Sequence, residues 1–320
     1  MRIVFFGTPV VAVPPLRRLV DAGYEIPLVV TQPDRPVGRS RKPVAPAVKQ
    51  FALETGLTLE QPVRIRTRSF RERVGACGPD LLVVVAFGRI LSMKLIEQTP
   101  MGAVNLHFSL LPRYRGAAPV QWALANGDRT TGVTTMLINE RLDEGDTLLT
   151  ETVPIQPREH APELFDRLAG IGSRVLFDTV EALAAGTIRP QPQVHDEATL
   201  APILQRTDGW VDPALLEARL IVGRIRGFDP WPGVWLQHRD RRLRLVRAET
   251  LDDPPAGSAV DEPGRLIDLG GAGAALVCRG GTVLRLLEVQ PEGRRAMPTA
   301  DALNGRQLVL GEKLERVPAH

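Results

Sequence analysis

The sequence predicts an α/β chain: a doubly wound, mostly parallel sheet, followed by a small β-barrel domain, OB-like in its expected form. Three observations predict it. Short apolar runs alternate with helix-spaced segments over about the first 180 residues. After Gly186 the texture changes, and Pro190 and Pro192 open a polar stretch that runs to Asp208. Beyond it lie short strand-like runs punctuated by Gly and Pro, the pattern of a barrel or sandwich. The expected organisation is a catalytic domain over 1–189, a linker over 190–207 and a second domain over 208–320.

The first run, Arg2 to Gly7, is apolar and ends in glycine, which suits a buried parallel strand. Val10, Val13, Leu16, Leu19 and Val20 fall at helical spacing between Pro9 and Gly23, with Pro14-Pro15 near the start. Ile26–Val30 reads as a strand, Val44–Glu54 as a helix, and Asp80–Phe87 as the strongest buried strand of the chain. Ala103–Phe108 is a further strand, Pro119–Asn126 a helix, Gly132–Ile138 a strand, Thr147–Ile155 an edge strand and Pro162–Leu183 a long amphipathic helix. In the last third, strands are expected at Val234–His238, Arg242–Val246, Arg265–Leu269, Ala274–Cys278 and Thr282–Val289.

A length of 320 residues suits two domains, and 43% hydrophobic with 24% charged residues allows a sizeable core. The net charge of +3 is carried almost wholly by arginine, since Lys42, Lys49, Lys94 and Lys313 are the only lysines. Arginine suits phosphate recognition, but the charge alone establishes no nucleic-acid partner. Cys77 and Cys278 lie far apart without His or Cys at ligand spacing, so neither a zinc site nor a disulfide framework is expected. Gly7-Thr8-Pro9 breaks the first apolar run too early for a signal peptide, and no apolar run is long enough to span a membrane. A cytoplasmic monomer is the expectation. The first strand ends without G-x-G-x-x-G, and no G-x-x-x-x-G-K-[ST] occurs, so the sheet is expected to serve something other than NAD or ATP.

The informative segment is Asn105-Leu106-His107-Phe108-Ser109-Leu110-Leu111-Pro112. Strand alternation puts Asn105 and His107 on one face, at the carboxyl end of a strand, where open α/β sheets place their ligands. An amide donor beside an imidazole suits stabilising an oxyanion while moving a proton. Neither is a covalent nucleophile, which favours direct transfer to an amine. Taken alone, the pair also reads as ordinary turn or core groups. Leu142-Asp143-Glu144-Gly145-Asp146 follows the next strand and brings carboxylates toward the same sheet edge. A carboxylate there would orient the His107 ring and favour its charged form.

Together these segments resemble the 10-formyltetrahydrofolate-dependent formyltransferase family, through Asn-x-His-x-Ser-Leu-Leu-Pro and the Leu-Asp-x-Gly-Asp loop. The resemblance implies a triad of Asn105, His107 and Asp143, 10-formyltetrahydrofolate as co-substrate, and no metal. It places the folate against Phe87, Gly88, Arg89, Ile90 and Leu91, against Ser109, Leu110, Leu111 and Pro112, and under a loop that includes Leu137, Asn139 and Glu140. Two positions depart from the family pattern: Phe108, where the family is usually small, and Ile138-Asn139, where Met-Asp is more familiar. Phe108 is expected on the opposite strand face, altering packing more than chemistry.

The run Gln32–Lys42 is basic and on charge alone reads as a solvated loop. It resembles the insertion loop of the family members that act on methionyl-tRNA, which implies that Arg35, Arg39, Arg41 and Lys42 meet the acceptor end of an initiator methionyl-tRNA. Gly227–Trp235 and Pro291–Met297 resemble C-terminal stretches of the same branch. Core packing is expected of the first, phosphate contact of Arg294 and Arg295 in the second. The alternatives are a formyltransferase acting on an amino-sugar nucleotide or a glycinamide nucleotide, a formyltetrahydrofolate hydrolase, and a non-enzymatic RNA-binding protein.

Overall fold

The computed structural model describes residues 1–36, 42–252, 260–270 and 273–318. The chain forms two compact units: Met1–Pro119 with Thr130–Pro154 and Phe165–Pro202, and Val120–Arg129 with Ile155–Leu164 and Ile203–His320. The stretch expected as a linker is thus divided between them at Pro202.

In the first unit the apolar runs pair into a seven-stranded sheet. Its order is Leu59–Glu60, Glu25–Val30, Arg2–Gly7, Leu81–Val85, Ala103–His107, Thr130–Leu137 and Thr147–Pro154. Pairings are parallel through Ala103–His107 and antiparallel for the last two strands. Thr147–Pro154 is the edge, and its alternating, half-exposed pattern matches that position. Strand order reverses between Arg2–Gly7 and Leu81–Val85, so the crevice of an open α/β sheet falls beyond their carboxyl ends.

One face of this sheet is filled by Val4, Phe6, Leu28, Val30, Leu82 and Val84, packed against Phe70, Val74, Phe87 and Leu95. Each such side chain contributes roughly 1.5–3 kcal/mol by leaving water. Phe70 and Val74 come from a helix, Arg68–Ala76, that the sequence reading leaves out. With only those two residues buried it has almost no apolar stripe, and Thr67 starts it by accepting a hydrogen bond from the Phe70 amide at 3.2 Å.

The second unit is built on antiparallel strands in the order Leu266–Asp268, Ala274–Val277, Val283–Pro291, Arg241–Leu251, Val234–His238 and Glu315–Arg316. Val234, Leu236, Leu243 and Leu245 point inward at alternate positions. The sheet curls until its edges share one segment. Glu315 and Arg316 pair with Val234–His238, while Leu314 donates to the Gly264 carbonyl at 2.7 Å and Leu266 to the Glu312 carbonyl at 2.9 Å. This is the small barrel-like domain the punctuated strands predict.

A second unforeseen helix, Ala218–Gly227, lies in this unit. Its glycines argue against a helix by propensity, yet they are what lets it dock. A methyl group on Gly223 would sit 2.5 Å from the Leu124 carbonyl oxygen, and one on Gly227 2.4 Å from that of Gln121. Phe228 is fully buried and meets Trp122 edge-on at 5.5 Å. Core packing, expected of the whole Gly227–Trp235 run, does not extend to Trp231, which stands 55% exposed. It lies on the turn between the helix and Val234–His238, outside the buried face of either.

Gly170, in the helix Ala161–Ala184, has no atom within 4 Å of an added methyl group. Gly170→Ala should stabilise the protein by about 0.5–1 kcal/mol, whereas Gly223→Ala should cost about 1–3 kcal/mol through overpacking. Urea denaturation of the two variants checks the opposite signs.

Candidate active site

His107 ends the strand Ala103–His107, two residues after Asn105, and so shares its face. The imidazole is buried, 5% exposed. Its Nε2 lies 2.9 Å from the Tyr114 carbonyl oxygen. A carbonyl only accepts, so Nε2 carries the hydrogen, and Nδ1 is the nitrogen that can gain or lose a proton. Nδ1 faces the Asp143 carboxylate, 3.8 Å from Oδ2. That separation suits an ion pair when the ring is charged and is beyond direct hydrogen-bond length when it is neutral. Asn105 is half-buried, and its amide makes no hydrogen bond among the described residues.

Asp143 is itself buried, and its backbone is left-handed, φ +54°. Aspartate tolerates that region better than most residues, but it still needs a surround that holds it there. The Gly116 amide donates to Oδ2 at 2.8 Å. The Gln193 side-chain amide donates to the carbonyls of Asp143 at 2.9 Å and Gly145 at 2.7 Å. Arg115, almost fully buried, donates to Gln193 Oε1 from Nε at 3.1 Å and Nη2 at 2.7 Å, and lies 3.4 Å from Glu144. Arg115 and Gln193 were not legible as site residues. Arg115 sits seven residues past Phe108 in a basic, unpatterned stretch, and Gln193 in what reads as a linker.

The turn after His107 is pinned from within. Ser109, fully buried, donates to the Arg113 carbonyl at 2.6 Å, and Thr134 donates to the Ser109 carbonyl at 2.7 Å while accepting from the Leu111 amide at 3.3 Å. Leu110, Leu111 and Pro112 are half-buried. Phe108 points away from the site and packs edge-on against Phe165 at 6.1 Å.

The residues assigned to folate divide by chemistry. Phe87 and Leu91 turn their side chains into the hydrophobic core, so only their backbone faces a ligand. The Phe87 carbonyl already accepts from Gln32 at 2.8 Å and Thr8 at 3.1 Å, which anchors this turn at the sheet's reversal point. Gly88 takes φ +74° there. Arg89 donates to the carbonyls of Pro62 and Val63, both at 2.9 Å. Ile90 and Leu142 are 54% and 60% exposed, apolar groups left uncovered on the two loops that the resemblance assigns to a flat ring. Leu137 is half-buried; Asn139 and Glu140 are exposed, and Asn139 caps its own turn by accepting from the Arg141 amide at 2.9 Å. Uncovered apolar side chains suit a flat ring, and an unengaged amide suits a carbonyl oxygen.

Arg35 and Lys42 are exposed at the base of a small hairpin, where Arg35–Pro36 pairs with Pro43–Val44. Arg39 and Arg41 lie outside the described residues. The hairpin base is held by Asp34, which accepts from Gln61 at 2.7 Å and Lys49 at 2.8 Å; these contacts keep its carboxyl below the ordinary carboxylate range. In the second unit Arg294 and Arg295 are exposed on the turn before Met297–Pro298. That unit also holds a cavity of about 670 Å³ whose lining includes Arg129, Arg158, Arg219, Arg226 and Arg247. No sequence signal marks it, because its arginines come from four separate stretches. Among the described residues no group of His, Cys, Asp or Glu could hold a metal ion, and no helix is long and apolar enough to cross a membrane. Both cysteines are free, and burial pushes the Cys278 thiol up to about 12.

Residues 1–180 match the family model described as "Formyl transferase", and residues 204–307 the one described as "Formyl transferase, C-terminal domain". The methionyl-tRNA formyltransferase of Acidobacterium capsulatum is 45% identical over 312 residues, covering 96% of this chain and 97% of that one. That of Solibacter usitatus is 44% identical over 317 residues, covering 98% of each. Among solved structures, the sugar 3N-formyl transferase WlaRD, crystallised in the presence of dTDP and 5-N-formyl-THF, superposes with a TM-score of 0.66 at 14% identity over 92% of this chain and 99% of that one. HypX from Aquifex aeolicus, in complex with tetrahydrofolic acid, does so with a TM-score of 0.62 at 16% identity, covering 98% of this chain and 48% of that one. At those identities the likeness is one of fold.

The loop holding Asp143 passes so close to Leu137 that a methyl group on Gly145 would lie 1.7 Å from the Leu137 carbonyl oxygen. Gly145→Ala should therefore displace Asp143 and abolish most activity, read as turnover by protein that still shows a cooperative melt. A separate expectation concerns pH. Because the folded Asp34 carboxyl titrates lower than in the unfolded chain, its stabilisation of the hairpin base is complete above the unfolded carboxylate value, about 3.9, and is lost as pH falls through the lower folded value. NMR titration of the Asp34 and Lys49 side chains would register that loss, and a transition at or above the ordinary carboxylate value would contradict it.

Proposed function

The chain belongs to the formyl transferase family, in its methionyl-tRNA formyltransferase branch, and from that premise we propose that it formylates the α-amino group of methionyl-initiator tRNA with 10-formyltetrahydrofolate as donor, in the cytoplasm. The observation that carries the reading is the His107–Asp143 pair, buried at a strand end two residues beyond an unengaged Asn105 amide. The bound donor supplies an electrophilic formyl carbon attached to nitrogen. Asn105 is suited to donate to the formyl oxygen as negative charge grows there, a contribution of roughly 3–4 kcal/mol for one preorganised donor. The α-amino group titrates at about 7.7–8.0, so a useful fraction of the acceptor is neutral near pH 7. As the amine bonds to the formyl carbon, His107 takes up the amine's proton at Nδ1 while Asp143 steadies the charged ring, and returns it to the donor nitrogen as that nitrogen's bond to the formyl carbon breaks. Backbone of the turn Phe87–Leu91, with the uncovered faces of Ile90 and Leu142, would hold the folate ring.

The polyanionic acceptor is supported by basic groups in both units. Arg35 and Lys42, with Arg39 and Arg41 between them in sequence, suit phosphates near the acceptor end. Arg294, Arg295 and the arginine-lined cavity offer further cationic surface in the second unit.

Mass-spectrometric detection of formyl-methionine on charged initiator tRNA after mixing with 10-formyltetrahydrofolate tests the reaction, and no product would refute it. Asn105→Ala and Asp143→Ala should each depress single-turnover formylation by about 10²–10³-fold with tRNA affinity largely kept; near-wild-type rates would refute the roles. Arg39→Ala should weaken tRNA binding and reduce the slope of log affinity against log salt by about 1. Lost folate binding with unchanged tRNA affinity would contradict that assignment.

A further inference from the structure

We propose that Gln193 is a positioning residue for the reaction, clamping the Asp143 loop through two backbone carbonyls. This rests on the catalytic reading of Asp143 given above. Gln193 is 7% exposed and uses its whole amide. Both hydrogens on Nε2 go to the carbonyls of Asp143 and Gly145, and both lone pairs of Oε1 accept from Arg115. A single NH₂ group thus spans residues i and i+2 of one turn and sets its curvature. The intervening residue, Glu144, is held by the same arginine at 3.4 Å. The turn needs such a hold, because Asp143 sits at φ +54° and relaxation toward common backbone angles would swing its carboxylate away from His107.

Gln193 is delivered to this place by fixed register on both sides. Before it, Gln191 and Thr147 exchange two backbone hydrogen bonds, both at 2.8 Å. After it, Arg115 donates to the Thr199 carbonyl at 2.8 Å and accepts from the Ala201 amide at 2.7 Å. The segment around 191–201 therefore belongs to the machinery that aims Asp143, although it touches no reacting atom. Catalytic competence of the first unit extends past the end of its long helix to at least Gln193.

The test compares single-turnover formylation by full-length wild type, Gln193→Leu, Gln193→Glu, Asp143→Ala and the double variant Gln193→Leu/Asp143→Ala. Gln193→Leu should lower the rate by about 10–100-fold, the usual effect of losing an outer partner of an active group, with the KM for methionyl-tRNA unchanged. In the Asp143→Ala background it should lower the rate no further, since the group it aims is gone. Gln193→Glu keeps the acceptors for Arg115 but turns a carboxylate oxygen toward two carbonyls, and should fall similarly; it carries the test should the leucine variant not fold. A fall of equal factor in both backgrounds would mean a merely structural role and overturn the proposal. Gln193 variants as fast as wild type beside an inactive Asp143→Ala would overturn the clamp alone, whereas a fully active Asp143→Ala would overturn the clamp and the catalytic reading together.

Discussion

The site depends on one hydrogen bond whose direction leaves no choice: the His107 Nε2 hydrogen is committed to the Tyr114 carbonyl. With one nitrogen occupied, proton exchange is confined to Nδ1, on the side where Asp143 lies. Tyr114 can present that carbonyl because the turn between it and the strand is tied by Ser109, Thr134 and the backbone of Arg113. The same chain then runs on through Arg115 and Gly116, which support the Asp143 loop. About ten residues after a central strand thus support both members of the His107–Asp143 pair.

The fold explains why these groups can be held so closely. His107 and Asn105 ride on a strand paired on both sides, so neither can move without breaking a ladder. Thr130–Leu137 runs antiparallel to Ala103–His107, so Leu137 stands opposite Val104, toward the amino end of the site strand, and the loop after it reaches back to His107 through Asp143. The turn at Phe87–Leu91, which we propose faces the donor, follows the neighbouring strand and is rooted in the core by Phe87 and Leu91 themselves. What it leaves outside the core is backbone and the half-exposed side chain of Ile90.

The strands beside the site were legible in two ways: burial on both faces makes Leu81–Val85 a continuous apolar run, while Ala103–His107 alternates Val104 and Leu106 with Asn105 and His107. The helices Arg68–Ala76 and Ala218–Gly227 were not, for opposite reasons. The first buries too little for a stripe to show; the second contains glycines that local propensity counts against it and that close packing against residues 121–125 requires. The same contrast runs through the site. Asn105, His107 and Asp143 stand in motifs that resemble a family's, whereas Gln193 acts through backbone carbonyls, which any residue supplies, and Arg115 acts through Gln193 and Glu144.

What the amino-acid order determined alone was periodicity and local chemistry: which runs are strands, where an amide and an imidazole share a face, and where a glycine-bearing acidic loop follows. Those are properties of neighbours within a few residues, set by alternation and turn geometry. Only the tertiary structure decided which nitrogen of His107 meets the carboxylate, that Asp143 is held left-handed by a glutamine 50 positions onward, and that a sheet with distant edges curls around one short segment. These depend on contacts between groups far apart along the chain, whose geometry arises when packing brings them together and is written in no local pattern.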